Sequence, residues 1–381
     1  MKSQASSASL NAIVFFILFN CSLLLNLGVP SSAVYLPCFI ILFVILATRK
    51  KIELKPFVPV FICLLILQII DKLNDVFGGG DVSQLFPIIY TACFIPFLII
   101  NRNKPSIVDD IRRPLLFAIL FLFLYAFLRN VPLRELDRDL SIMVLFWYFL
   151  FVFSFKNKTM KVVVGVLVFY LLWELLEART ASLSMVVFIA LYRLKIQKCK
   201  AQSFILLGAI LSAIGLTAFG IYYEYFSLGA VSELYTGRGI IWGEVISRFL
   251  ENNNLFNGLF GFPSAGGQLE SDFGDFYIKG PGAHLGEILI RGNFHNSFVY
   301  TIYNTGIIGL LLLFISVFKT IKLSPFDYRS FAVLCAMIVV MVFQGRSVVG
   351  IYASSIIFQI VLFVPLINNN KNANIKEHNR R

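Results

Sequence analysis

Long apolar runs alternate with short polar breaks along the whole chain. The runs lie at about 10–28, 33–48, 56–70, 82–100, 114–128, 140–155, 161–177, 180–193, 202–221, 296–318, 329–343 and 347–366. A membrane-crossing helix needs about 20 mostly apolar residues. The pattern therefore predicts an all-α, polytopic transmembrane bundle of about twelve spans. The pair over 161–193 is short enough to predict a tight hairpin. The weakly alternating segments of an outer-membrane barrel are absent, and no internal repeat stands out.

One interval interrupts this rhythm. Residues 222–295 are polar and long, and they divide the chain. About nine spans precede them in 1–221, about three follow in 296–366, and a basic tail closes 367–381. Within the interval, 238–251 has helical periodicity: Ile241, Val245 and Phe249 share a face, with Trp242 and Ile246 beside them. Asn252, Asn253 and Asn254 end that helix, and a Gly/Pro-rich turn region follows from Gly258 to Gly267. A loop of this kind can lie in the membrane interface as a lid or half-helix.

Composition agrees with the pattern. The 381 residues are 58% hydrophobic and 14% charged, where a soluble domain is nearer ~25% charged. The net charge of +12 invites a nucleic-acid reading, but the excess sits in short interhelical segments, so nucleic acid is excluded as a partner. With the N-terminus inside, 23 of the 33 Lys and Arg fall in cytoplasmic segments, and 16 of the 21 acids fall outside. That asymmetry predicts an even helix count, cytoplasmic termini and an extracytoplasmic 222–295 loop. An uncleaved first helix is expected over Leu10 to Leu27, rather than a signal peptide. Of the six cysteines, five lie in apolar runs and Cys199 in a basic segment, so neither a disulfide framework nor a zinc site is indicated.

Candidate chemistry gathers on the outer side. Arg179 follows Glu174 and Glu177 at the outer end of the 161–193 pair. It reads either as a snorkelling or ion-paired helix end or as an anion contact, since a guanidinium grips phosphate oxygens two at a time. Arg238 lies between Gly237 and Gly239 at a predicted helix start. Close backbone approach and a helix N-terminus make that a phosphate seat or an ordinary turn. His295 stands where the chain re-enters the apolar region, flanked by Arg291 and Asn296. It can relay a proton near neutral pH or simply bond to backbone; His284 has weaker surroundings. Arg346 is a third outer arginine. The substrate-contact candidates are Arg346, Trp242, Asn296, Arg291 and Gly237. Glu174 and Glu177 are the acids expected where a span could bury them; no other acid is expected mid-span.

The order of these motifs resembles the bacterial O-antigen polymerase and O-antigen ligase superfamily. The motifs are Arg179-Thr-Ala-Ser, then Gly237-Arg238 with Trp242, then Gly258-Leu-Phe-Gly261-Phe, then His295-Asn296, then Tyr303-Asn-Thr-Gly306-Ile-Ile-Gly309. The motif-bearing match covers about 170–315. Glu177-Ala178 departs from the small or hydroxyl residues that the family often has before its arginine. The resemblance implies a metal-free GT-C type membrane glycosyltransferase with no cofactor. Its catalytic residues would be Arg179, Arg238 and His295. Its partners would be an undecaprenyl-diphosphate-linked glycan donor and acceptor and the lipid bilayer of the inner membrane, with a chain-length regulator as an open partner. The resemblance does not separate polymerase from ligase; the compact, Phe-rich chain favours a polysaccharide polymerase, with a ligase acting on lipid A-core or protein, and a transporter or flippase, as the alternatives. For a transporter, central charges or broken helices in paired halves are expected.

Overall fold

The structure is a computed structural model that describes residues 2–26, 29, 31–48, 54–79, 85–104, 106–130, 138–194, 238–251, 254–263, 296–323, 327–343, 352–364 and 366. Every described element is helical. The helices are α1 (Lys2–Asn26), α2 (Ser31–Ala47), α3 (Val58–Phe77), α4 (Phe86–Asn101), α5 (Ile107–Arg129), α6 (Arg138–Ser154), α7 (Lys158–Tyr170), α8 (Arg179–Leu194), α9 (Arg238–Glu251), α10 (Leu255–Phe260), α11 (Ser297–Leu323), α12 (Tyr328–Phe343) and α13 (Ala353–Phe363). Two of them, α5 and α11, are long and apolar enough to cross a membrane. The predicted span 202–221 lies outside the described residues.

Local chemistry sets the ends. Asn157 caps α7 by accepting from Met160 N at 3.2 Å, and Asp109 and Asp110 stand in the first turn of α5, where acids suit the helix dipole. Asn130 closes α5 in the left-handed conformation. A π-helical turn, Leu171–Leu175, follows α7, and α8 then packs chiefly on α12 rather than folding back as a hairpin arm.

Contacts between helix ends give the bundle two distinct poles. At one pole, Asn11 of α1 bonds to Asp110 of α5, and Arg112 of α5 lies over Phe155 beyond α6. Arg102 beyond α4 covers Phe57 before α3, and Phe57 meets Phe363 of α13. Tyr192 of α8 meets Tyr328 of α12. At the other pole, Cys21 of α1 meets Cys38 of α2, and the last turns of α3 meet α11 and the residues after α10. Successive helices from α1 to α5 thus alternate in direction. The segments rich in Lys and Arg around 102–113, 156–161 and 319–329 share the first pole.

The outward faces are apolar. On α5, Phe117, Leu120, Phe121, Leu124, Phe127 and Leu128 are exposed, and on α7 so are Val162, Val163, Val166, Leu167 and Tyr170. Continuous apolar stripes of this length mark a surface that meets lipid or another protein.

Candidate functional site

The site begins with a break in a helix. α11 runs through Gly306, whose backbone is not helical (φ 64°, ψ −166°). The positive φ belongs to the region that glycine enters without penalty. A break frees the carbonyls that would have bonded one turn further on, and each then needs a new partner. Tyr303 O accepts from Phe262 N at 2.8 Å. Asn304 O accepts from Asn74 Nδ2 at 2.6 Å, and the same amide donates to Phe260 O at 2.7 Å. One side chain on α3 therefore ties together α10 and the break in α11.

Two glycines make the approach close enough. A Cβ on Gly261 (φ 89°) would strike the Asn304 carbonyl, and a Cβ on Gly306 would strike the Leu259 carbonyl. Aromatic rings extend the junction. Phe262 stacks on Tyr303 at 4.9 Å, and Phe249 of α9 meets Phe262 edge-on at 6.0 Å. Of the face the periodicity predicts on α9, Val245 and Phe249 are buried, and so is Trp242 beside them; the Ile241 side chain lies outside the described residues. The predicted turn at Gly258 is instead part of α10, capped by Asn254, whose Oδ1 accepts from Phe256 N at 3.0 Å.

The end of α3 brings charge to this junction. Its buried face is apolar at Val60, Leu64 and Leu67, then turns polar at Gln68, Asp71, Asn74 and Asp75. The Lys72 ammonium lies 3.1 Å from Asp71 Oδ2 and also pairs with Asp75. Asn304 Nδ2 donates to Asp71 Oδ1 at 3.3 Å. Gln68 is 1% exposed, and neither atom of its amide has a hydrogen-bond partner; the same holds for Asn304 Oδ1. A buried polar group left so costs about 1–3 kcal/mol.

This corrects the expectation about acids. Glu174 and Glu177 are exposed, because the chain turns outward there, with Glu177 at φ 48°. Among the described residues, Asp71, Asp75 and Asp110 are the buried acids. The apolar run 56–70 stops at Ile70, and Asp71-Lys72 looks like the end of a span. The missed signal was the spacing 68, 71, 74, 75, which continues the face of 60, 64 and 67.

The other candidates fall as follows. Arg179 is the first residue of α8 and is exposed. Since the other end of α8 sits at the basic pole through Tyr192, Arg179 lies at the pole of the broken helix. Arg238 is the first residue of α9, as expected. Trp242 is buried to 2% exposure among the packing residues of α9. Asn296 is buried and caps α11: its Oδ1 accepts from Phe298 N at 2.8 Å and Val299 N at 3.1 Å. Gly237, His284, Arg291, His295 and Arg346 lie outside the described residues.

Comparison with known protein families finds no family model that matches the chain. Comparison with the curated proteins likewise finds no match.

Proposed function

We propose that the chain is a polytopic membrane glycosyltransferase, an O-antigen or capsular polysaccharide polymerase. It joins undecaprenyl-diphosphate-linked repeat units at the periplasmic face of the inner membrane. The observation that carries this reading is the junction at Gly306. Two of the segments on which the family resemblance rests, Gly258–Phe262 and Tyr303–Gly306, pack directly on each other. Motifs distant in sequence that share one tight contact are what a common site requires. The exposed apolar stripes on α5 and α7 support a bilayer as solvent.

The chemistry follows from the charges. As the glycosidic bond to the diphosphate breaks, negative charge grows on the departing phosphate oxygens. Arg179 and Arg238 stabilise that charge, each charge-assisted hydrogen bond contributing about 1.5–3 kcal/mol. His295 takes the proton of the attacking acceptor hydroxyl or positions it. Direct attack inverts the anomeric centre.

A deletion strain complemented with variants tests this on a gel of surface polysaccharide. Arg179→Ala, Arg238→Ala and His295→Ala should each abolish the long-chain ladder while the protein stays at its usual level in the membrane. Normal ladders from all three would end the proposal. In the deletion strain, one repeat left on the core marks a polymerase; no repeat there, with lipid-linked polymer accumulating, marks a ligase.

A transporter is the second reading, because the structure holds two features it would use: a broken helix at Gly306 and buried acids at Asp71 and Asp75 paired with the half-buried Lys72. The sequence shows no internal repeat to pair with that break. Purified protein that lengthens lipid-linked repeats in detergent would rule out transport alone.

A further inference from the structure

We propose that Gln68 and Asp71 of α3, with Asn304 of α11 bonded to Asp71, form a subsite for the hydroxyls of the acceptor glycan. This rests on the glycosyltransferase reading and assigns the acceptor a place apart from the arginines.

The two helices run antiparallel in register. The ideal Cβ position of Gly309 lies 3.0 Å from Leu67 Cδ1, and Asn304 meets Asp71 and Asn74. Gln68 stands one turn from Asp71 on the buried face of α3. Its amide is unpaired at both ends, and so is Asn304 Oδ1, whose own nitrogen is already on Asp71. A leucine at 68 would continue the face of Leu64 and Leu67 without that cost. A buried polar side chain that the fold does not use calls for another role.

The balance of groups selects the ligand. Gln68 Oε1, Asn304 Oδ1 and the Asp71 carboxylate accept; Gln68 Nε2 is the donor with no partner. A ligand that suits them mainly donates, as sugar hydroxyls do. Two carboxyl groups share the one Lys72 ammonium, so the seam has no free cation to offer a diphosphate. Lys72 and Asp75 keep 12% and 13% side-chain exposure, so the seam reaches the surface at the outer end of α3. The diphosphate belongs with Arg179 and Arg238, and the acceptor sugar with the seam.

The test compares the full-length protein with Gln68→Leu, purified in detergent. The probe is the free oligosaccharide repeat unit, released by mild acid from the strain's own polysaccharide and carrying neither lipid nor phosphate. We expect millimolar oligosaccharide to raise the Tm of the unsubstituted protein and of Arg179→Ala, but not of Gln68→Leu. Without probe, Gln68→Leu should melt at or above the unsubstituted protein, because an orphan amide has gone, yet give at least tenfold less long-chain polysaccharide in cells. Gln68→Met carries the same test if the leucine variant does not accumulate. Equal Tm shifts in both proteins, no shift in either, or a normal ladder from Gln68→Leu overturns the subsite. Normal ladders from Arg179→Ala, Arg238→Ala and His295→Ala would instead remove the glycosyltransferase reading itself.

Discussion

Asn74 does at the residue scale what a helix normally does for itself. The break at Gly306 strips α11 of internal partners, and the Asn74 amide serves Asn304 O and Phe260 O together. Asn74→Leu keeps the bulk and removes both bonds, so it should cost about 1–3 kcal/mol for each carbonyl left unpaired. Gly306→Ala should cost about 1–3 kcal/mol from its positive φ alone, before the collision of its Cβ with the Leu259 carbonyl. Thermal unfolding in detergent checks both, and a Tm unchanged by either would mean that the junction does not bear on stability. These residues were only half legible in the sequence. Gly261 and Gly306 stood out within recognisable motifs, whereas Asn74 and Gln68 did not. The Asp71-Lys72 pair reads as the end of a span, and burial of charge cannot be seen without the facing helix that offsets it.

At the scale of elements, α9 was legible and the break in α11 was not. An amphipathic helix writes its period into the chain, and Trp242, Val245 and Phe249 turn inward as that period requires. A break leaves no such trace: the motif at Tyr303 to Gly309 sits inside an apolar run with no proline to mark a kink. The Thr301 and Thr305 hydroxyls even donate back to the carbonyls of Ser297 and Thr301, at 2.6 Å each, and so hide their polarity inside the helix. α9 reaches the break through Phe249, Phe262 and Tyr303. Truncating its largest buried ring should loosen that linkage. Trp242→Ala should cost about 3–5 kcal/mol and speed protease cleavage at α9 relative to the rest of the chain. Cleavage at an unchanged rate would show that α9 is held by something other than its buried face.

For the whole molecule, the two poles can be tested against the membrane. On the proposed reading, the pole of Arg102, Arg112, Lys158 and Arg329 faces the cytoplasm by the positive-inside rule, and the broken helix, α10 and Arg179 lie at the opposite pole. A lipid-linked glycan polymerised outside the cell membrane needs that second pole to face the periplasm. Leu255 on α10 is 76% exposed, and Lys158 at the start of α7 is exposed as well, so each tolerates a reporter. With Cys199 replaced by serine, Leu255→Cys should react with a membrane-impermeant maleimide in intact cells. Lys158→Cys should react only after the inner membrane is opened. Labelling of both in intact cells would mean that the described helices do not separate two compartments. The reverse pattern would put Arg179, Arg238 and the Gly306 junction on the cytoplasmic side. The diphosphate chemistry assigned to them would then have no periplasmic substrate, however well each side chain suits it.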